Sequence, residues 1–297
     1  MHGQNFRLTP VAMPRYSMVD SSHFSSVSSG LIENARIAWL LGLRSRAIRG
    51  VLVLGIFLLV AAFLAGAFSL RQPVVVALDV GLSGIRLLSL LLALFWVQET
   101  FVRDIERRTI VFPLVLPIPR WVYVLGRFLG VAGLIVLAIA IWGLALYGAS
   151  ISATWGYEAS SLPTFGFSYG LVLAGIVGDA LVIGAFVLAV ASVATSPLLP
   201  MATGAMFALA SRGIGPVVDY LELSSRTDPA LQEGLLPLLQ ILRWILPDLA
   251  RLDFRPLTLY GNPADPAIVI GAFAIALGYA SILLGIAMAT YQRREFS

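Results

Sequence analysis

The sequence predicts an all-α integral membrane protein with six transmembrane helices, a cytoplasmic N-terminal surface helix and a re-entrant or interfacial helix before the last span. Of its 297 residues, 59% are hydrophobic and only 12% are charged, with a mean hydropathy of +0.90. Soluble domains average about 45–50% apolar and about 25% charged residues. The apolar residues form runs of roughly 20, the length that a helix needs to cross a ~30 Å hydrocarbon core.

Three absences limit the chemistry of the chain. It has no cysteine, which excludes disulfides and thiolate metal sites. The two histidines, His2 and His23, lie outside the apolar runs. Lysine does not occur, so the chain cannot contain the Gly-Lys-Ser or Gly-Lys-Thr of a phosphate-binding loop. We therefore expect no cofactor in this chain, and any ATP to be bound by a partner subunit.

The N-terminal part divides into a tail and a surface helix. Residues 1–30 are polar and Ser-rich without an apolar core, so we predict a disordered cytoplasmic tail rather than a secretory signal. Residues 31–49 interleave apolar side chains with arginines. Trp39 and these arginines suit the headgroup region, which predicts a helix at the membrane surface. The transmembrane domain is predicted to cover 31–297.

Six apolar runs follow, separated by polar connections, of which the region 218–266 before the last run is the longest. Residues 71–83 are predicted as a link, and Pro197 and Pro200 mark a tight turn before the fifth and shortest span. The predicted spans are 51–70, 84–101, 122–147, 169–194, 201–217 and 267–291.

Residues 235–249 carry leucines at helical spacing but are too short to cross a bilayer. Pro237 and Pro247 bound only about ten residues. We predict a re-entrant or interfacial helix, with a seventh span as the alternative. A seventh span would place Arg293 and Arg294 outside the cell, against the positive-inside rule.

The distribution of arginines predicts the orientation. Arginines precede the first span, lie between the second and third spans, and follow the last one. The positive-inside rule then predicts a multi-pass protein of the bacterial inner (cytoplasmic) membrane with both termini in the cytoplasm. Because the arginines flank apolar runs instead of forming one stripe, they indicate orientation in a membrane and no binding of nucleic acid.

The stretch from Glu99 to Gly130 is the most informative part of the sequence. Asp104 and Arg108 lie four residues apart, as do Glu99 and Arg103, so each pair can form along a helix face. Three prolines then prevent a continuous helix into the third span: Pro113, Pro117 and Pro119. The pattern predicts a compact cytoplasmic protrusion suited to docking a partner; an ordinary positively charged loop is the alternative.

This stretch resembles the connection between the second and third spans of type-2 ATP-binding-cassette (ABC) exporter permeases, as does the order of elements over residues 31–297. The matching positions are Glu106, Thr109, Pro117, Ile118, Arg120, Leu125, Gly126, Arg127, Phe128 and Gly130. The sequence departs from the pattern at Arg108, where Gly is usual, at Pro119, where Ser is usual, at Arg127, where Lys is usual, and at Pro113. Residues 244–249 with Asp253 resemble the branch linked to multi-copper enzyme maturation.

The resemblance implies a permease that exports a substrate with energy from a separate ATPase subunit. A second permease copy, identical or related, would complete the pore within the lipid. The docking connection is expected at residues 104–121. The residues implied in ATPase docking are Glu106, Arg107, Arg108, Thr109, Pro117 and Arg120.

Polar residues inside the predicted spans are candidates for function. Asp179 lies within the fourth span, and a buried acid there is costly in lipid. Arg212 and Arg86 can reach a similar depth, so Asp179 belongs either to a structural ion pair or to a transport site. Glu99 is expected to pair with Arg103 at the end of the second span.

The last span carries glycines at a seven-residue spacing. Gly271, Gly278 and Gly285 share one helix face and are expected to pack within the subunit, with a dimer face as the alternative.

An ion-coupled secondary transporter would require more intramembrane charge and an inverted repeat, which the sequence lacks. A membrane assembly factor for a periplasmic metalloenzyme is a further alternative, and no catalytic set of residues indicates an enzyme.

Overall fold

The computed structural model describes residues 21–69, 71–102, 119–152, 165–194, 196, 198–224, 241–242 and 246–293, and their regular secondary structure is helical. The helices are α1 (Ser21–Arg44), α2 (Arg46–Ala67), α3 (Pro73–Val97), α4 (Arg120–Ser152), α5 (Phe167–Val193), α6 (Leu198–Ser224), α7 (Arg255–Leu259) and α8 (Pro266–Arg293). A π-helical turn, Gln98–Val102, continues α3, and a 3₁₀ turn, Leu249–Leu252, precedes α7. Six helices are long and apolar enough to cross a membrane: α2, α3, α4, α5, α6 and α8. The predicted all-α membrane fold with six spans is confirmed.

Helix α3 begins well before the predicted second span. The sequence predicts a link over 71–83, but the helix starts at Pro73, a residue favoured at the first helical position. Asp79 and Ser83 make this stretch look like a loop. Both side chains instead receive hydrogen bonds from Arg255, which provides polar partners for one face of the helix.

Helix α1 is longer than the sequence predicts. The prediction of a disordered tail through residue 30 is wrong from Ser21 onward, and residues 1–20 lie outside the described part of the chain. Gly30, Asn34 and Ala38 are buried at successive helical turns. Once tertiary packing fixes such a helix, each further N-terminal residue adds a hydrogen bond at little cost, so the helix extends into the Ser-rich stretch.

Small residues bring α1 against α4. A Cβ at Gly126 would lie 2.7 Å from the Cβ of Asn34, and one at Gly130 would lie 2.5 Å from the carbonyl oxygen of Ala35. Further along, the Trp39 ring would be 3.0 Å from a Cβ at Gly133. The two helices thus advance together, so α1 runs beside α4 in the same direction.

The bundle is centred on α3. This helix packs against α2, α4, α5 and α6, while α8 packs against α5 and α4. Large side chains such as Trp96 and Ile85 are fully buried at these contacts. In contrast, α2 and α8 leave most of their apolar surface outside the bundle.

The glycines of α8 do not pack within the chain, contrary to the expectation from their spacing. A Cβ at Gly271, Gly278 or Gly285 would meet no atom of the described residues within 4 Å. Helix α8 uses a different face, on which Ala272 and Ala276 are buried against the bundle. Alanine allows close approach nearly as well as glycine and forms a better helix, so the small-residue contact is made there.

The polar region before α8 enters the bundle. Most of the predicted helix 235–249 lies outside the described residues, which resume at Leu246. From there to Leu259 the chain packs against α5, α6 and α8. The carbonyl oxygen of Leu252 lies where a Cβ of Gly175 would be. Gly175 is eight residues into α5, about 12 Å from its first residue. We call residues 246–259 the inserted segment.

Candidate functional site

Asp179 is a fully buried carboxylate near the middle of α5. Gly175 and Gly178 lie on the preceding turn, and their lack of side chains lets the inserted segment approach the same helix face. An ionised group at this depth is tolerated only when partners compensate its charge. The surroundings of Asp179 supply them.

Two arginines from neighbouring spans bind the same oxygen of Asp179. The Nε of Arg86 on α3 donates to Oδ2 over 2.8 Å. The Nε and Nη2 of Arg212 on α6 donate to that oxygen over 3.0 and 2.7 Å. One carboxylate thereby joins three spans, α3, α5 and α6. Its partners are the two arginines that the sequence analysis identified at a similar depth.

Arg86 also joins the bundle to the inserted segment. Its Nη1 lies 3.0 Å from Oδ2 of Asp253, and its Nη2 donates to the carbonyl oxygen of Leu249 over 2.9 Å. All three guanidinium nitrogens of Arg86 are therefore engaged. The planar fork of arginine suits such a junction, because its donors point in fixed directions.

The charged chain continues from Asp253 to the surface. Arg255 donates from Nε to Oδ1 of Asp253 over 2.8 Å, and its Nη1 lies 3.1 Å from Oδ1 of Asp79 on α3. Arg255 also hydrogen-bonds the hydroxyl of Ser83. The exposed fraction of the carboxylate side chains rises from 0% at Asp179 through 23% at Asp253 to 53% at Asp79. The network thus runs from the interior of the bundle to its surface.

The arginines outweigh burial in setting the charge state of Asp253. Burial by itself raises the pKa of this carboxyl, but the hydrogen bond from Arg255 and the charges of Arg86 and Arg255 together bring its pKa below the ordinary value of 3.8. The pKa of Arg255 is raised in turn, chiefly by its hydrogen bond to Asp253. Asp253 and Arg255 therefore stay ionised at neutral pH.

The network as a whole is electrically neutral. Three guanidiniums, Arg86, Arg212 and Arg255, face three carboxylates, Asp179, Asp253 and Asp79. Two guanidiniums on neighbouring spans compensate the charge of Asp179. Its Oδ1 has no hydrogen-bond partner among the residues that the structure describes. We call these six side chains the arginine–aspartate network.

A second contact places the start of the inserted segment against α6. Oδ1 of Asp248 accepts a hydrogen bond from the backbone N–H of Ala250 over 3.2 Å and lies 2.5 Å from where a Cβ of Gly215 would be. Any larger residue at 215 would collide with this carboxylate. The Asp248 carboxylate also pairs with Arg251 over 3.2 Å, so it fixes the 3₁₀ turn on which Leu249 is carried.

An aromatic cluster lies at the opposite end of the bundle, where α4 begins and α8 ends. The rings of Phe101, Tyr123 and Tyr291 have centroids 5.5–6.0 Å apart. The guanidinium of Arg127, which is buried, lies 5.2 Å from the Tyr123 ring centroid in a cation–π contact. This cluster ties the end of α3 to the start of α4 and the end of α8.

The predicted docking residues lie mainly outside the described part of the chain. Glu106, Arg107, Arg108, Thr109 and Pro117 belong to 103–118, of which nothing is described. Arg120 is exposed at the start of α4, where its Nη1 donates to the carbonyl oxygen of Gln292 over 3.0 Å. Glu99 is half-buried in the π-helical turn, and its expected partner Arg103 is outside the described residues.

Sequence reasoning found the centre of the network but missed its extension. Asp179, Arg212 and Arg86 stood out because they interrupt apolar runs. Asp253 and Arg255 lie in a polar stretch, where charged residues are expected, and Asp79 lies in the predicted link 71–83. Nothing in the sequence spacing connects Asp79 with Arg255, 176 positions away. Over the described ranges, no group of three or more His, Asp or Glu side chains could hold a metal ion.

Comparison with protein families and curated proteins identifies no relative of the chain.

Proposed function

We propose that the chain is the membrane-spanning permease subunit of an ABC transporter of the bacterial inner membrane, which exports a substrate with energy from a separate ATPase subunit. The ATPase would dock at the connection 104–121. The absence of lysine supports ATP hydrolysis in a separate subunit, because this sequence contains no Gly-Lys-Ser or Gly-Lys-Thr phosphate-binding loop. Both termini would lie in the cytoplasm, and a second permease copy would complete the pore.

The observation that carries the proposal is how the two ends of this connection are attached. Phe101 precedes the connection by three residues and Tyr123 follows it by two, and both belong to the aromatic cluster with Tyr291. Tightly packed rings transmit displacement because interiors have low compressibility. A force applied to the connection would therefore move α3, α4 and α8 together. This is the mechanical coupling that an external ATPase needs to change access to a pore.

The arginine–aspartate network supports the same function at the opposite end of the bundle. It holds α3, α5, α6 and the inserted segment as one body. In an ATP-driven exporter, that body would turn as a unit when the other end is moved. The fixed compensation of Asp179 favours this function over an ion-coupled secondary transporter, in which the acid would exchange its counter-ion during each cycle.

A second candidate function is the assembly of a periplasmic metalloenzyme. Residues 244–249 with Asp253 resemble the branch linked to multi-copper enzyme maturation, and the described part of this stretch, from Leu246 on, belongs to the inserted segment that packs into the bundle. The two functions overlap, because export of a metal or sulfur species would serve maturation.

Co-purification with an ATPase tests the proposal. The full chain is isolated from its native membranes in mild detergent, and ATP hydrolysis and bound subunits are measured. We expect an ATPase to co-purify, and Arg107→Glu with Arg108→Glu to remove it by reversing the charge of the docking surface. The control, Arg71→Glu, reverses an exposed arginine at the other end of the bundle, between α2 and α3, and should retain the ATPase. A chain that never carries an ATPase, or unchanged recovery in the Arg107/Arg108 variant, would contradict the proposal.

A further inference from the structure

The outward half of α1 combines large apolar side chains with arginines. The buried positions, Gly30, Asn34, Ala38 and Gly42, recur every four residues and define the side that packs into the protein. Ile32 and Leu40 on the other side are 66% and 45% exposed, and Arg36 and Arg44 are exposed among them. A helix with this division presents both apolar surface and positive charge to its surroundings.

The arginines of this region form no ion pair with the acidic residues that the structure describes. Among the residues that the structure describes, Arg36, Arg44 and Arg46 form no ion pair, and Arg49 donates only to the carbonyl oxygens of Ser45 and Arg44, over 3.4 Å each. Over α1 and α2, Glu33 is the one acidic residue. The described residues therefore leave this positive charge uncompensated.

The exposed apolar surface continues from α1 into a spanning helix. The chain turns at Ser45, where one extended residue separates α1 from α2, and hydrogen bonds flank the break on both sides. On α2, Val53, Leu54 and Phe57 are about half exposed or more and face away from the bundle. Because α2 crosses the hydrocarbon core, α1 meets the membrane where the core gives way to headgroups.

We propose that the outward face of α1 and the first turn of α2 bind anionic phospholipid, with Arg36, Arg44 and Arg46 donating to headgroup phosphates. Arginine forms forked hydrogen bonds to phosphate oxygens, and the neighbouring isoleucines and leucines contact the upper acyl chains. An acidic protein surface fits less well, since it would leave these apolar side chains without an apolar partner. The inference goes beyond the proposed function and requires only the membrane fold.

Lipid titration of the purified full chain tests the inference. The thermal unfolding midpoint is measured in detergent with added phosphatidylglycerol, phosphatidylcholine or inorganic phosphate. We expect a rise with phosphatidylglycerol alone. Replacing Arg36, Arg44 and Arg46 together by Gln should weaken the apparent affinity roughly 100-fold, because each basic residue contributes about 1 kcal/mol at an anionic surface. The same three positions changed to Lys should retain most of the affinity, and Arg71→Gln should leave it unchanged.

Three results would overturn the inference. The first is the same affinity for phosphatidylglycerol in the wild type and the Gln variant. The second and third are a rise of the unfolding midpoint with inorganic phosphate, or with phosphatidylcholine, that equals the rise with phosphatidylglycerol. If the Gln variant does not fold, the salt dependence of phosphatidylglycerol binding by the wild-type chain tests the role of the arginines. Phosphatidylglycerol binding must weaken strongly in about 1 M NaCl, where charge interactions are screened within about 3 Å. Binding that ignores salt would be apolar only and would contradict the role of the arginines.

Discussion

Asp179 illustrates how a single charged residue can be accommodated inside an apolar helix. Its carboxylate is fully buried, and three donors from Arg86 and Arg212 converge on one of its oxygens. Isolated, such a charge would be expelled from lipid, and a lone arginine would be too. Each residue is therefore stable at this depth only because the others are present.

Removal of the Asp179 charge is expected to destabilise the fold. Asp179→Asn leaves two partly buried guanidiniums, 12% and 20% exposed, facing a neutral amide, and removing one partner of a buried ion pair costs about 3–5 kcal/mol. The free energy of unfolding, measured by denaturant titration in detergent, should fall by about that amount. Asp79→Asn serves as the control, because Asp79 is half exposed and its loss should cost less than about 1 kcal/mol. Equal stability of the two variants would show that Asp179 is not held as the structure indicates.

At the scale of elements, glycines allow two helices to approach closely only where their positions face the neighbouring helix. Gly126 and Gly130 on α4 are in contact with α1, whereas Gly148 on the same helix has nothing within 4 Å among the described residues. The Gly-x-x-x-Gly spacing of Gly126 and Gly130 indicates close packing, but it does not say which helix they contact. What distinguishes them from Gly148 is whether another helix occupies the space that a side chain would fill.

This difference gives a matched pair of substitutions on one helix. Gly130→Ala would place a methyl group 2.5 Å from the carbonyl oxygen of Ala35, so α1 must shift, at a cost of about 1–3 kcal/mol. Gly148→Ala should instead stabilise the helix by up to about 1 kcal/mol, because alanine loses less backbone entropy. Thermal unfolding of both variants measures the signs. A stabilising Gly130→Ala would mean that α1 does not pack at this contact.

The inserted segment is an element whose position depends on polar contacts. Leu252 is buried, but the links of its neighbours to α3 run through Arg86 and Arg255. The cysteine-free chain allows a direct measurement, because a single introduced thiol is the sole target of a maleimide. Leu252→Cys should react slowly, and the addition of Arg86→Gln should accelerate the reaction at least tenfold through local opening. Arg251→Cys, at an exposed position, should react equally fast with either residue at 86.

The same thiol reports the pH dependence of the inserted segment. The folded state holds the pKa of Asp253 below its ordinary value of 3.8, so the carboxylate contributes stability above that pH. This contribution is lost as the pH falls through the lowered pKa, and Leu252→Cys should then become more accessible to a label that reacts under acid conditions. In the Asp253→Asn background the acid-induced increase should be smaller. An increase of the same size would assign it to other carboxyl groups.

For the whole molecule, six spans place alternate connections on opposite sides of the membrane. Thiols introduced at Ser29 and Arg293 should therefore react with an impermeant maleimide from one side, and thiols at Arg71 and Asn262 from the other. Inverted and right-side-out vesicles distinguish the two sides, and the proposed orientation assigns the first pair to the cytoplasm. Labelling of Ser29 and Arg293 from opposite sides would indicate an odd number of spans and contradict the fold.

The sequence by itself determined the class of the fold and the position of most spans. Apolar runs of about 20 residues require a bilayer, and a bilayer requires helices, because every backbone hydrogen bond must be made within the segment. The conspicuous intramembrane charges, Asp179, Arg86 and Arg212, could be identified for the same reason: each interrupts such a run. These are local consequences of hydropathy.

Only the tertiary structure decided which polar residues belong together. In the structure Arg255 binds Asp79, and α3 begins at Pro73 instead of at residue 84. Helix α1 begins at Ser21, and α8 makes its close contacts through alanines and not through glycines. None of these follows from composition or periodicity, because each depends on a neighbour that is distant in the chain. A charge in a polar stretch or a glycine in a helix acquires its role from the surface that packs against it.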